Sequence, residues 1–97
     1  MPKGYWIAHV TVRDTAAYEP YRKTVAALLP KYQADYVVRG GAQTVVEGNV
    51  RPRSVVIEFP SLQVALDCYH SPEYQAAKAL RVAASDGDVC IIEGWDG

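Results

Sequence analysis

Two ionisable residues stand where apolar ones are expected. His9 lies in the middle of Tyr5–Val12 (YWIAHVTV), and Glu58 lies near the end of Ser54–Phe59 (SVVIEF). Burying a carboxylate costs several kcal/mol unless it is paired or protonated, so Glu58 calls for a partner. A carboxylate beside an imidazole raises the histidine pKa and fixes its tautomer, as a general base requires. His9 and Glu58 are therefore the candidate catalytic pair. Arg39, just before Gly40-Gly41, is a candidate for bidentate binding of a substrate carboxylate or enolate, and Arg53 is a second. Tyr69 and Tyr74 flank Ser71-Pro72 at a helix break, where their phenols would line a pocket mouth.

A structural reading stands beside each of these. Glu58 pairing with Arg39 or Arg53 would be an ion pair within the sheet, and His9 bonded to a backbone carbonyl or to a dimer mate would be a core histidine. The seven tyrosines equally suit core or interface packing, having large apolar bodies and one polar tip.

Strand-like runs alternate with helix-like ones. Tyr5–Val12 is rich in β-branched and aromatic residues and reads as a first strand. Asp14 or Thr15 caps a helix carrying Tyr21, Val25, Leu28 and Leu29 at helical spacing, with a bend or a restart expected at Pro20. Pro30 ends it. Tyr32–Arg39 reads as strand two, interrupted at Gly40-Gly41 by a bulge or kink and continuing extended over Ala42–Val46. Glu47-Gly48-Asn49 supplies a turn and Ser54–Phe59 is strand three. Ser61 caps a helix with Leu62, Ala65, Leu66 and Tyr69 on one face, and Ser71-Pro72 starts another, from about Glu73 to Ala84. Ser85-Asp86-Gly87 is expected to stop it before strand four, Asp88–Glu93, and a tail from Gly94 to Gly97.

This order is a ferredoxin-like βαββαβ α+β domain covering residues 1–97. It implies a four-stranded antiparallel sheet of order 4-1-3-2, both helices on one face, with strands one and three expected to run parallel at the centre. Alternation sends Trp6, Ala8, Val10 and Val12 toward the helices and Tyr5, Ile7, His9 and Thr11 away. It likewise sends Val55, Ile57 and Phe59 inward and Ser54, Val56 and Glu58 away. His9 and Glu58 are then expected to meet on the helix-free face.

Val55-Val56-Ile57, Val89–Ile92 and Tyr36-Val37-Val38 do not alternate as strands with one wet face do. Leaving the second face in water would expose an apolar patch whose burial, at about 25 cal/mol per Å², is worth several kcal/mol. A homodimer packed through the helix-free face is the expected solution.

Composition narrows the rest. Hydrophobic residues make up 49% and charged ones 22% of the chain, enough for one core. Ten basic residues against eleven acidic leave a net charge of −1, so no nucleic-acid partner is expected. The run from Met1 to Gly4 enters strand one with no signal-peptide-like apolar run, and no stretch reaches membrane-spanning length. Cys68 and Cys90 form no CxxC pair, and two reduced, mostly buried thiols in a cytoplasmic protein are expected. No metal-ligand spacing, phosphate loop or nucleophile elbow is present, and His70 is the sole loose candidate for a haem ligand, so no cofactor is expected.

GYWIAHVTVRD at the start, VRGG at Val38–Gly41, VVEG at Val45–Gly48, RPRSVVIEFPS at Arg51–Ser61 and YHSPEYQAAKALR at Tyr69–Arg81 resemble the domain-of-unknown-function family 1330. The resemblance covers nearly the whole chain in order. It implies a dimeric α+β barrel, a superfamily that includes cofactor-free monooxygenases, haem-degrading enzymes, muconolactone isomerases and small-ligand regulatory domains, and it implies no settled activity. The functional expectation is a cavity between sheet and partner that binds a small organic acid or aromatic. Cofactor-free proton transfer, oxygenation or isomerisation would be its chemistry. The alternative is a structural or ligand-sensing homodimer whose ionisable groups only pair with one another.

Overall fold

The computed structural model describes residues 2–96; Met1 and Gly97, at the two ends of the expected domain, lie outside them. The elements are β1 (Gly4–Val12), α1 (Thr15–Leu28), β2 (Asp35–Arg39), β3 (Arg53–Phe59), α2 (Leu62–Tyr69), α3 (Pro72–Ala84) and β4 (Ser85–Glu93), with a short 3-10 turn over Leu29–Tyr32 after α1. The helix starts are fixed by side chains that satisfy free backbone N–H groups. Asp14 accepts from the Ala17 N–H at 3.0 Å, Ser61 from Val64 at 3.2 Å, and Ser71 from Tyr74 at 3.2 Å, with Pro72 opening α3.

One sheet forms in the order β2-β3-β1-β4, and every neighbouring pair is antiparallel. The expected parallel pairing of strands one and three is corrected. Each β-helix-β crossover keeps direction, so β1 matches β2 and β3 matches β4. The β2-to-β3 reversal then sets β3 against β1. Trp6, Val10, Ile57 and Phe59 are buried under the helices as alternation requires, with Val25, Leu28, Ala65, Cys68 and Tyr74 packed on them. Trp6 anchors this core. Its ring centroid lies 4.7 Å from that of Tyr74 and 4.9 Å from that of Phe59, and its indole N–H donates to the Ala65 carbonyl at 2.9 Å.

Several boundaries differ from the sequence reading. The first helix runs unbroken through Pro20. Strand two is Asp35–Arg39 alone: Tyr32 sits in the 3-10 turn and Ala42–Val46 belongs to an exposed loop, Gly40–Pro52. The irregularity in β2 falls between Tyr36 and Val38, ahead of Arg39 rather than at the glycines. Strand four begins at Ser85, because the β1 ladder from Val12↔Ser85 onward takes up the backbone groups of Ser85-Asp86-Gly87 that otherwise make a turn. Cys68 is buried and Cys90 exposed, both as free thiols, so only one of the pair is in the core. Among the described residues no helix is long and apolar enough to cross a membrane.

Candidate functional site

The helix-free face carries a cross-strand row. Pairing sets His9 opposite Ser54 of β3 on one side and Asp88 of β4 on the other. The loop after β2 returns over this end of the sheet, and a cavity of about 520 Å³ opens there, lined by His9, Thr11, Asn49, Val50, Arg51, Pro52 and Asp88. Arg51 holds the loop down: its Nε donates to Asp88 Oδ2 at 3.1 Å and its Nη1 to Thr11 Oγ1 at 3.2 Å.

Hydrogen-bond direction can be followed through this site atom by atom. The Arg51 carbonyl can only accept, so the atom of Gln43 facing it at 2.9 Å is the amide nitrogen, and the Gln43 oxygen points the other way. Ser54 Oγ donates its single proton to that Gln43 oxygen. The 2.9 Å contact between Ser54 Oγ and His9 Nδ1 must then have the ring nitrogen as donor. In neutral His9 the proton is on Nδ1, and Nε2 keeps its lone pair with no partner among the described residues. This is a proton acceptor with an assigned tautomer.

His9 and Glu58 do not meet. Tyr5, not His9, is the residue opposite Glu58, so the two lie four positions apart, about 13 Å along the strands. Glu58 instead takes Lys3 Nζ at 2.6 Å and the Tyr5 hydroxyl at 3.4 Å. Its carboxylate is part-exposed, and its partner is neither His9 nor an arginine of the sheet. The Glu58 charge in turn holds the Lys3 ammonium above its usual pKa, through their hydrogen bond first and their attraction second.

Arg39 and Arg53 lie on the other side of the sheet. Arg53 shares the helix-facing parity of Val55 and Ile57, and its guanidinium carbon lies 5.8 Å from the Tyr18 ring centroid. Arg39 pairs with Val55 and stacks 4.5 Å from the Tyr36 ring centroid. The extra residue between Tyr36 and Val38 is the cause: a one-residue slip reverses the face of every residue beyond it. Tyr74 is no pocket-mouth residue. It is 1% exposed, and its hydroxyl is 3.0 Å from that of Tyr21. Tyr69 packs beside it at 5.1 Å, part-buried against Trp6.

Arg51, Gln43, Thr11 and Asp88 were not singled out from the sequence. Thr11 shares the parity of His9, which was available. Arg51 and Gln43 belong to a loop whose path no periodicity encodes.

A family model described as "Domain of unknown function (DUF1330)" matches residues 3–95. No curated protein matches the chain. Solved structures do. One is a protein of unknown function from Rhodopseudomonas palustris, at 16% identity and a TM-score of 0.78 over 99% of this chain and 85% of the other. SnoaB, a cofactor-independent oxygenase from Streptomyces nogalater, aligns at 13% identity and a TM-score of 0.65 over 100% and 97%. A dimeric protein of unknown function and ferredoxin-like fold from Bacteroides fragilis aligns at 14% and 0.62 over 94% and 95%. At such identities the likeness shows a shared ferredoxin-like fold.

Proposed function

This chain belongs to the DUF1330 family, and on that premise we propose that it is a homodimeric small-molecule-binding protein whose ligand, a small organic acid or aromatic, sits in the His9 cavity beneath a second copy. The observation that carries the reading is the donor chain from His9 through Ser54 and Gln43 to the Arg51 carbonyl, which leaves Nε2 free to accept a proton. With a weakly acidic C–H or O–H group held against Nε2, the ring takes the proton and becomes a cation. Nδ1–H stays on Ser54 Oγ throughout, so the acceptor needs no reorientation. Cofactor-free proton transfer of this kind is the step that isomerisation and oxygenation of activated aromatics share.

The second copy is supported by the composition of the uncovered face. Ile7, Val56, Val38 and Ile92 lie on it beside Tyr5 and Cys90, and Val38 and Ile92 are open to solvent in one protomer. Val45, Val46 and Val50 add exposed apolar surface on the adjoining loop. Related folds described as dimeric support the same reading. The cavity is open in the single chain, and a partner sheet across it would exclude water.

One observation favours the alternative, a homodimer that catalyses nothing. Glu58 is fully accounted for by Lys3 and Tyr5, so not every ionisable group on this face awaits a ligand. Two measurements separate the readings. Sedimentation at micromolar concentration is expected to give a dimer; a monomer alone would remove the enclosed cavity. A thermal-shift screen of phenols and aromatic acids is expected to give hits that His9→Gln loses. Hits retained in His9→Gln would take the ligand away from this cavity.

A further inference from the structure

The charges that line the His9 cavity cancel within the lining itself. Among its residues only Arg51 and Asp88 carry a formal charge when the imidazole is neutral. They are paired with each other, Arg51 Nε donating to Asp88 Oδ2 at 3.1 Å. Asp86, two residues back on β4, is engaged in the same way by Arg13 at 3.1 Å. Arg51 is therefore not a cation waiting for an acid. Its Nε–H goes to Asp88 and one Nη1–H goes to Thr11 Oγ1 at 3.2 Å, while Nη2 makes no hydrogen bond among the described residues. What the guanidinium still offers is donors, without a net charge behind them.

Strand pairing also sets Asp88 directly opposite His9, so one carboxylate serves the guanidinium and neighbours the imidazole. An uncharged ligand that gives a proton to His9 Nε2 keeps the charge of the site at zero. The O–H or C–H bond breaks, its electron pair stays on the ligand, and an N–H bond forms on the ring. The imidazolium then neighbours Asp88, and the new ligand anion has the Nη2 donors of Arg51. A ligand that arrives as a carboxylate brings a negative charge with no counter-charge, before the transfer and after it. Asp88 already neutralises the one cation present and repels the newcomer. In the single chain the pair is open to solvent, with Arg51 at 38% and Asp88 at 80% exposure, where such effects are small. Under a second copy an uncompensated charge is costly.

From this we infer that Asp88 is the specificity determinant of the His9 cavity, admitting uncharged aromatics that carry an acidic O–H and a neutral oxygen acceptor, and turning carboxylates away. The inference rests on the reading that the ligand sits against His9, and of the ligand classes proposed above it keeps the aromatic and drops the acid. The O–H meets Nε2. A carbonyl oxygen accepts from Arg51 Nη2 as a carboxylate oxygen would, but adds no charge. Val50 and Pro52 give apolar surface for the ring.

The amide and the carboxylate of one skeleton differ by a charge at nearly equal size. 4-Hydroxybenzamide with 4-hydroxybenzoate, and salicylamide with salicylate, are titrated calorimetrically at neutral pH into the unmodified protein, His9→Gln and Asp88→Asn. The unmodified protein is expected to bind at least one amide about tenfold or more tighter than its carboxylate, a modest share of what like charges cost at a closed site. Asp88→Asn keeps an oxygen for Arg51 Nε and removes the charge, so carboxylate affinity is expected to rise until the preference is lost. A damaged fold cannot produce that gain. His9→Gln is expected to weaken both members of the pair. A carboxylate bound as tightly as its amide, with both weakened in His9→Gln, would overturn the inference and leave the cavity reading standing. An unchanged preference in Asp88→Asn would overturn it as well. Binding untouched in His9→Gln, or absent for all four compounds, would remove the cavity reading and this inference with it.

Discussion

Across the seam between β1 and β3, Nδ1 of His9 stands 2.9 Å from Oγ of Ser54, a hydroxyl whose own proton is committed to Gln43. The imidazole is thereby held as its Nδ1–H form. Nitrogen-15 NMR of the ring is expected to show a protonated Nδ1 and a lone-pair Nε2 at pH above the histidine titration. In Ser54→Ala the two tautomers are expected to mix, because the acceptor for Nδ1–H is gone. A protonated Nε2 in the unmodified protein would refute the donor chain.

Trp6 is the residue on which the core depends most visibly. It fills the space between the sheet and the Tyr69–Tyr74 pair, and its N–H is bonded within the core. Trp6→Ala is expected to cost about 3–5 kcal/mol, as aromatic-to-alanine changes in cores do, read from urea denaturation. A loss below about 1 kcal/mol would mean that the core collapses around the gap.

Gly4 permits the close approach of β1 to the start of α2. A Cβ there would come 2.5 Å from the Ser61 carbonyl oxygen and 2.7 Å from the backbone of Leu62, so backbone rather than a mobile side-chain end must give way. Gly4→Ala is expected to destabilise by about 1–3 kcal/mol, the range for overpacking, as a lower denaturation midpoint with an unchanged slope. A neutral substitution would show that α2 shifts freely.

Cys68 gives the alkaline limit of stability a testable origin. Burial pushes its thiol up to about 12 from an ordinary 9.0. The folded chain therefore holds a proton that the unfolded chain releases, and stability is complete below pH 9, then declines as pH rises toward 12. In Cys68→Ala that decline is expected to be shallower at high pH, although burial of the Tyr21 phenol leaves part of it in place. Equal pH slopes for the two proteins in this window, measured by denaturant unfolding, would exclude the thiol.

Much of the fold was legible because it rests on local signals. Alternation assigned Trp6, Val10, Ile57 and Phe59 to the helix side, and all four are buried there. Ser61 and Ser71-Pro72 marked two helix starts that the backbone hydrogen bonds bear out. His9 was identified for its odd setting and does line a cavity. The pairing of His9 with Glu58 was not legible, since alternation gives the face of a residue and says nothing about its position along the partner strand. Gly40–Pro52 was misread as partly extended because its valines look strand-like, whereas no neighbouring strand accepts their backbone.

By itself, then, the sequence determined which elements form, in what order, and which side of each strand meets the helices, because period and capping act over a few residues. Tertiary structure decided the rest. The antiparallel register set Ser54 rather than Glu58 beside His9. The slip between Tyr36 and Val38 moved Arg39 to the helix side, and the return of the long loop brought Gln43 and Arg51 over the sheet. Each of these depends on how segments distant in the chain align. Such alignment is fixed by packing and by hydrogen bonds between strands, which no local pattern of residue types encodes.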